Sequence, residues 1–342
     1  MRTTARKPAS SAADFSGSES TWPQLCAGLG ATVWAGIAVL AGRGTAPIGS
    51  TELIFLFAPL AIVPLGIELL RILGAAGMFD RIAQRLQPFC AALAVVALCL
   101  PPGRTAGILS SGWMFFCLLP AASAIVGFLR SSQPAKTSLL GITLAVARID
   151  LLIGGAWFVA SRFGLRPLGT LEPIVLLTAV HFHFAGFATA IISAATLRFA
   201  QQRGGDRWLN GLLPLVVGMP FVVAAGFVIS PALKMGAAVM FSLCVAALAI
   251  ALRSLAQRTQ SPTARFFLHI AAVSVFAGMV LASIYAIADF RGSDLLPIPQ
   301  MARTHGVLNA VGFCLPAMLG WLIENAAESF RTVPPLSASP AE

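Results

Sequence analysis

Charge is scarce in this chain. Only 11% of its 342 residues are Asp, Glu, Lys or Arg, against roughly 25% in a soluble domain. So few charges cannot cover a surface that faces water. With 57% hydrophobic residues and a mean hydropathy of +0.85, lipid must be the solvent. Clustered cations are also missing. A net charge of +10 suggests a nucleic-acid partner at first sight, but no five-residue block of Lys and Arg occurs. The cations sit singly at the ends of apolar runs, whereas a nucleic-acid face needs them together. Anionic lipid headgroups are their expected partners.

Other absences narrow the chemistry. The six cysteines, Cys26, Cys90, Cys99, Cys117, Cys244 and Cys314, form no CxxC pair and nearly all lie in apolar runs. They read as small buried hydrophobes, with neither a structural disulfide nor a thiolate metal site. No Asn-x-Ser/Thr sequon occurs. There is no GxxxxGK[ST], GxSxG or HExxH, and no GxGxxG that opens a helix after a strand. ATP hydrolysis and serine hydrolysis therefore lack their residues.

What is present is a series of long apolar runs. Residues 1–20, rich in Ser, Ala and Thr with Arg2, Arg6 and Lys7, read as a disordered basic tail. The first apolar run comes too late, and continues too far, for a cleaved signal peptide. Ten runs follow, near 22–41, 52–71, 87–104, 106–129, 137–160, 173–197, 209–230, 234–253, 264–288 and 303–323. A hydrocarbon core about 30 Å thick takes about 20 helical residues. The runs are continuous rather than alternating, which excludes a barrel, and backbone in lipid must bond internally. The fold class is therefore all-α, a polytopic bundle of about ten transmembrane helices. The helical domain covers 21–324, and 325–342 form a C-terminal tail. Pro101, Pro102, Gly103 and Arg104 mark a tight hairpin between the third and fourth runs. Pro59, Pro64, Pro214, Pro220 and Pro316 fall inside runs and should kink or interrupt helices. Gly154, Gly155, Ala185 and Gly186 read as close-packing positions. Neither an internal repeat nor a separate soluble domain is evident.

Polar residues at depth mark a candidate site. The central run 173–197 carries His181 and His183. On a regular helix, residues two apart face opposite sides, so either that helix is distorted or each imidazole serves a different neighbour. At 1.5 Å per residue, His181 lies about 13 Å and His183 about 16 Å below Glu172, and Asp150 about 18 Å below Arg162. Asp150 is thus level with His183. His305 and Asn309 share a face near the same side, about 3 and 9 Å below Arg303. A carboxylate there would bind a cation, carry a proton or orient an imidazole. His269 falls near the opposite side. Glu68 and Arg71, three apart, read as a local ion pair.

The stretches LFAPLAIVPLGIELL (56–70), LLTAVHFHFAGF (176–187) and RTHGVLNAVGF (303–313) resemble the YndJ-like bacterial membrane proteins. The resemblance runs from about residue 50 to 323 and leaves the basic tail uncovered. It implies a polytopic fold and, through a label sometimes attached to the family, transport of an unnamed substrate. It also adds weight to His181, His183, His305 and Asn309.

Three function classes fit these residues. One is a transporter or permease for a small molecule or ion, with proton coupling open to it because histidine titrates near neutrality. The alternative is a membrane redox protein that holds haem or a transition metal at His181, His183 or His305. The third is a non-catalytic assembly partner or sensor. A cofactor is therefore either absent or one of those two kinds. Of the 23 Lys and Arg residues, 15 fall on the side of both termini, 7 on the other, and Arg148 within a span. The positive-inside rule then predicts a multi-pass inner-membrane protein with both termini cytoplasmic. Reporter fusions after residues 20, 132, 205 and 260 should all report cytoplasm, and a periplasmic signal from any one of them would break this topology.

Overall fold

The computed structural model describes residues 22–130, 138–204, 207–293, 295 and 297–332. Within them lie ten helices long and apolar enough to cross a bilayer, and no strand. They are α1 (Trp22–Gly42), α2 (Ser50–Ile72), α3 (Met78–Cys99), α4 (Arg104–Leu129), α5 (Leu139–Phe163), α6 (Ile174–Gln202), α7 (Leu209–Ile229), α8 (Pro231–Ala256), α9 (Pro262–Phe290) and α10 (Ile298–Ser329). The expected basic tail lies outside the described residues.

Local chemistry sets the helix ends. Ser138, Ser230 and Ser261 sit at the N-caps of α5, α8 and α9, and each hydroxyl accepts from the amide three residues on. Ser230 alone joins α7 to α8, with Pro231 at the first helical position. Gly164 closes α5 in the left-handed conformation, at φ 72°. The turn at residues 100–103 joins α3 to α4 and is tied to α5, because the Gly103 amide donates to the Arg162 carbonyl at 2.7 Å.

α1 and the sequential hairpins α3–α4–α5 and α7–α8–α9 form the outer wall, and α2, α6 and α10 run through the interior. The apolar window of α2 is 94% buried and that of α6 72%, against 17% for α1 and 28% for α7. The wall helices turn Phe89, Leu129, Ile229, Ile250 and Phe276 outward. On a membrane protein that is the surface hydrocarbon covers.

Four departures from regular α geometry lie in the three most buried helices. α2 is π-helical over Ala58–Ile62 and α6 over Phe182–Ala188. In α10 the π turns are Ala302–Gly306 and Ala310–Cys314. Pro59 lies within the first of these, Pro64 just after it, and Pro316 just after the last. The prolines of α7 behave differently. That helix keeps α geometry through both Pro214 and Pro220, as α3 and α4 do through Pro88 and Pro120. The π turn of α6 contains no proline, so packing rather than a missing amide opens it.

Two boundaries differ from the sequence reading. The third helix begins at Met78 rather than 87 and ends at Cys99 rather than 104. Asp80, Arg81 and Arg85 lower the local hydropathy of its first turns, but Asp80 is fully buried and paired. α10 starts before 303, and its helix continues through Thr332 into the stretch read as tail. Glu328 in that extension and Glu324 just before it both bind Arg203, at 2.6 and 3.2 Å.

Of the buried charged side chains, Glu68, Asp80, Arg148 and Glu324 lie in ion pairs, while Asp150 and Arg162 have none among the described residues. Arg148 of α5 donates to Asp80 of α3 at 3.3 Å and to the carbonyls of Ala75 and Leu144. Asp80 also accepts from Ser123 at 2.6 Å and from the Gly77 amide at 2.7 Å. Glu68 and Arg71 form the local pair expected of them, with Arg71 open to solvent on one side. Removal of one partner of a fully buried pair costs about 3–5 kcal/mol, because the other charge is stranded. A half-exposed pair contributes roughly 1 kcal/mol or less. Asp80→Ala should therefore lower the thermal unfolding temperature in detergent far more than Glu68→Ala does, and equal shifts would contradict this ranking.

Candidate functional site

The HFH segment is where α6 changes from α to π geometry. His181 ends the regular turn, while Phe182 and His183 open the π turn. The two imidazoles have separate surroundings, as their spacing requires. His183 is fully buried, and His181 is exposed at the bundle surface.

The protonation of His183 follows from its neighbours. The indole Nε1–H of Trp113 on α4 donates to His183 Nε2 at 3.0 Å. Indole is a donor only, so Nε2 must be the acceptor and Nδ1 carries the proton. Nδ1–H then donates to the Ala179 carbonyl at 2.8 Å. The edge of Phe55 and the face of Trp113 enclose the ring. Its seat is Gly154 of α5, where an added Cβ would lie 2.5 Å from Nδ1. Both ring nitrogens are thus committed, and His183 has no lone pair to give a metal or haem.

His181 and His305 are different. Nδ1 of His181 lies 2.7 Å from the Leu177 carbonyl, so it carries the proton and leaves Nε2 as an acceptor without a donor among the described residues. His305 on α10 is half-buried, and its Nδ1–H donates to the Gly278 carbonyl of α9 at 2.8 Å. Asn309 donates to the His305 carbonyl at 2.7 Å and its amide lies 3.1 Å from the ring. It packs on Gly278, where a Cβ would meet its Nδ2 at 2.8 Å.

Asp150 lies one turn before Gly154 on α5. It is fully buried, and neither carboxylate oxygen receives a hydrogen bond. Its carboxyl fills the place of the missing side chain of Gly186 in the π turn of α6, where a Cβ would come within 2.8 Å of Asp150 Cβ and Cγ. The antiparallel register of α5 and α6 thus seats His183 on Gly154 and Asp150 on Gly186. Arg148, two residues away, is committed to Asp80 and takes no part. His269 sits at the far end of α9, near Arg265 and away from these groups.

The structure thus seats Asp150 and His183 at the α5–α6 interface and His305 and Asn309 at the α9–α10 interface, while His181 is exposed on α6. Among the described residues, no group of three His, Cys, Asp or Glu side chains could hold a metal ion. All six cysteines are free thiols. Trp113, the partner of His183, carried no signal in the sequence beyond being an aromatic residue in a span. Gly154 and Gly186 did carry a signal, but as packing positions rather than as the seats of polar groups.

The family model for "YndJ-like protein" matches residues 53–313, from α2 to the second π turn of α10. An uncharacterized membrane protein YndJ of Bacillus subtilis (strain 168) is 30% identical over 252 residues, which is 72% of this chain and 44% of that protein. The chain thus spans less than half the length of this curated relative. No solved structure matches.

Nitrogen-15 NMR of histidine-labelled protein, with the His183 signal identified by its loss in His183→Gln, should show Nδ1 protonated and an unprotonated Nε2 that accepts a hydrogen bond. Trp113→Phe strands that nitrogen, at a cost of about 1–3 kcal/mol, and should release the locked signal. An Nε2–H or doubly protonated His183 would refute the assignment.

Proposed function

The chain belongs to the YndJ-like family of membrane proteins, and from that premise we propose that it is a transporter or permease of the bacterial inner membrane, multi-pass with both termini cytoplasmic. Its cargo is a small molecule or ion that passes an intramembrane polar site. One observation carries this reading. The π turns of α2, α6 and α10 lie against one another in the bundle interior.

At membrane depth, backbone that leaves α geometry is tolerated only where protein buries it or where it lines a cavity. π turns recur at functional sites, and interrupted helices form the substrate and ion sites of many transporters. Here the interrupted stretches carry His181, His183, His305 and Asn309 or adjoin them. The exposed His181 and half-buried His305 present imidazole at the edge of this seam. A metal or haem role for the same histidines finds less support, because His183 spends both nitrogens on protein partners.

The test is solute uptake into proteoliposomes, screened over small cations, anions and metabolites with and without an imposed pH gradient. At least one solute should enter faster than into protein-free vesicles. Asn309→Ala should reduce that flux while the protein still inserts and accumulates. Flux indistinguishable from protein-free vesicles across the whole panel would contradict the permease reading.

A further inference from the structure

We propose that Asp150 is a proton-binding site, loaded in the resting protein, whose proton is the coupling ion. The coupling role rests on the permease reading above, whereas the proton binding does not.

The geometry supplies the argument. Asp150 lies near the middle of α5, is fully buried, and neither carboxylate oxygen receives a hydrogen bond. An ionised carboxylate in that setting has neither a donor nor a counter-ion, and burial without either strongly disfavours charge. The titratable or charged groups on the helices packed against α5 do not remove the difficulty. On α4 these are Arg104 at one end and Cys117, whose thiol lies against Gly155. On α6 they are His181, His183 and Arg198, and His183 is committed to Trp113 and Ala179. α7 carries none between Leu209 and Ile229. On α5 itself Arg148 is held by Asp80, and Arg162 lies in the last turn, about 18 Å away along the helix.

Size favours a proton over a metal cation. Hard cations need a shell of about six or more oxygens at 2.0–2.6 Å. The carboxyl instead sits in a slot shaped by Gly186, and an added methyl there would come within 2.9 Å of Oδ2. A proton needs one oxygen and no extra room. Loading forms one O–H bond on the carboxylate and unloading breaks it, with water on either side as source and sink. The slot lies in the π turn of α6, so a change in that turn would expose the carboxyl and release the proton. That links the proton to the seam proposed as the solute path.

Infrared spectroscopy of the full chain in lipid nanodiscs tests this directly. At neutral pH the wild type should show a carboxylic-acid carbonyl band that shifts when aspartate is carbon-13 labelled and disappears in Asp150→Asn. If that variant fails to accumulate, Gly186→Ala serves, because its methyl displaces the carboxyl and must move the band. Absence of any aspartic-acid band in the wild type would overturn the proposal. The two readings fail separately. A band without solute flux leaves the proton site standing and removes the permease. Solute flux in Asp150→Asn that equals wild type under a pH gradient leaves the permease standing and overturns the coupling role.

Discussion

Inside a bilayer a helix can leave regular α geometry only where protein surrounds it, because hydrocarbon offers its backbone no hydrogen bonds. The fold follows that constraint. The wall helices α1, α7 and α9 are regular and turn apolar side chains outward. The π turns fall in α2, α6 and α10, the three helices with the largest buried shares. Thr189 illustrates how a π turn is stabilised, since its hydroxyl donates to the Phe184 carbonyl at 2.9 Å. Irregular backbone in this protein is an interior feature, and the interior is where the polar side chains are.

The polar groups divide by how fully they are satisfied. Arg148 and Asp80, with Ser123 and the Gly77 amide, form a closed network that ties α3, α4 and α5 together. Arg203, stacked 3.7 Å over Phe199, holds Glu324 and Glu328. Glu324 in turn accepts from the amides of Gln260 and Ser261 at the start of α9. These clusters have the character of clamps. His183 is likewise satisfied, and its fixed tautomer makes it a structural joint between α4 and α6. His181, His305 and Asp150 retain unused capacity, which marks them as the groups available for chemistry.

Hydropathy is local, so the count of ten spans and the all-α class could be read directly from the residues. The opposed environments of His181 and His183 followed from a helical angle alone, whereas helical rise put Asp150 level with His183 and the packing sets them about one turn apart, on Gly186 and Gly154. Non-local pairing was hidden. The start of α3 was misplaced because Asp80 finds its partner 68 residues away, and no window on one span shows that. The π turn of α6 was invisible for a related reason. It contains no proline, and it exists because Asp150 and His183 press on glycines across a helix interface. Pro214 and Pro220 misled in the opposite direction, since proline in a membrane helix need not open it.

The central claim is that α2, α6 and α10 meet as one interior seam. Cross-linking tests it most directly. A Cβ on Gly306 of α10 would lie 3.4 Å from Ile54 Cγ1 of α2, the place a cysteine sulfur takes at that position, so cysteines at the two positions stand within bridging reach. With the six native cysteines replaced, Ile54→Cys combined with Gly306→Cys should cross-link readily in membranes under mild oxidant. Two reactive thiols that remain unlinked after full oxidation would contradict the seam, and with it the site built upon it.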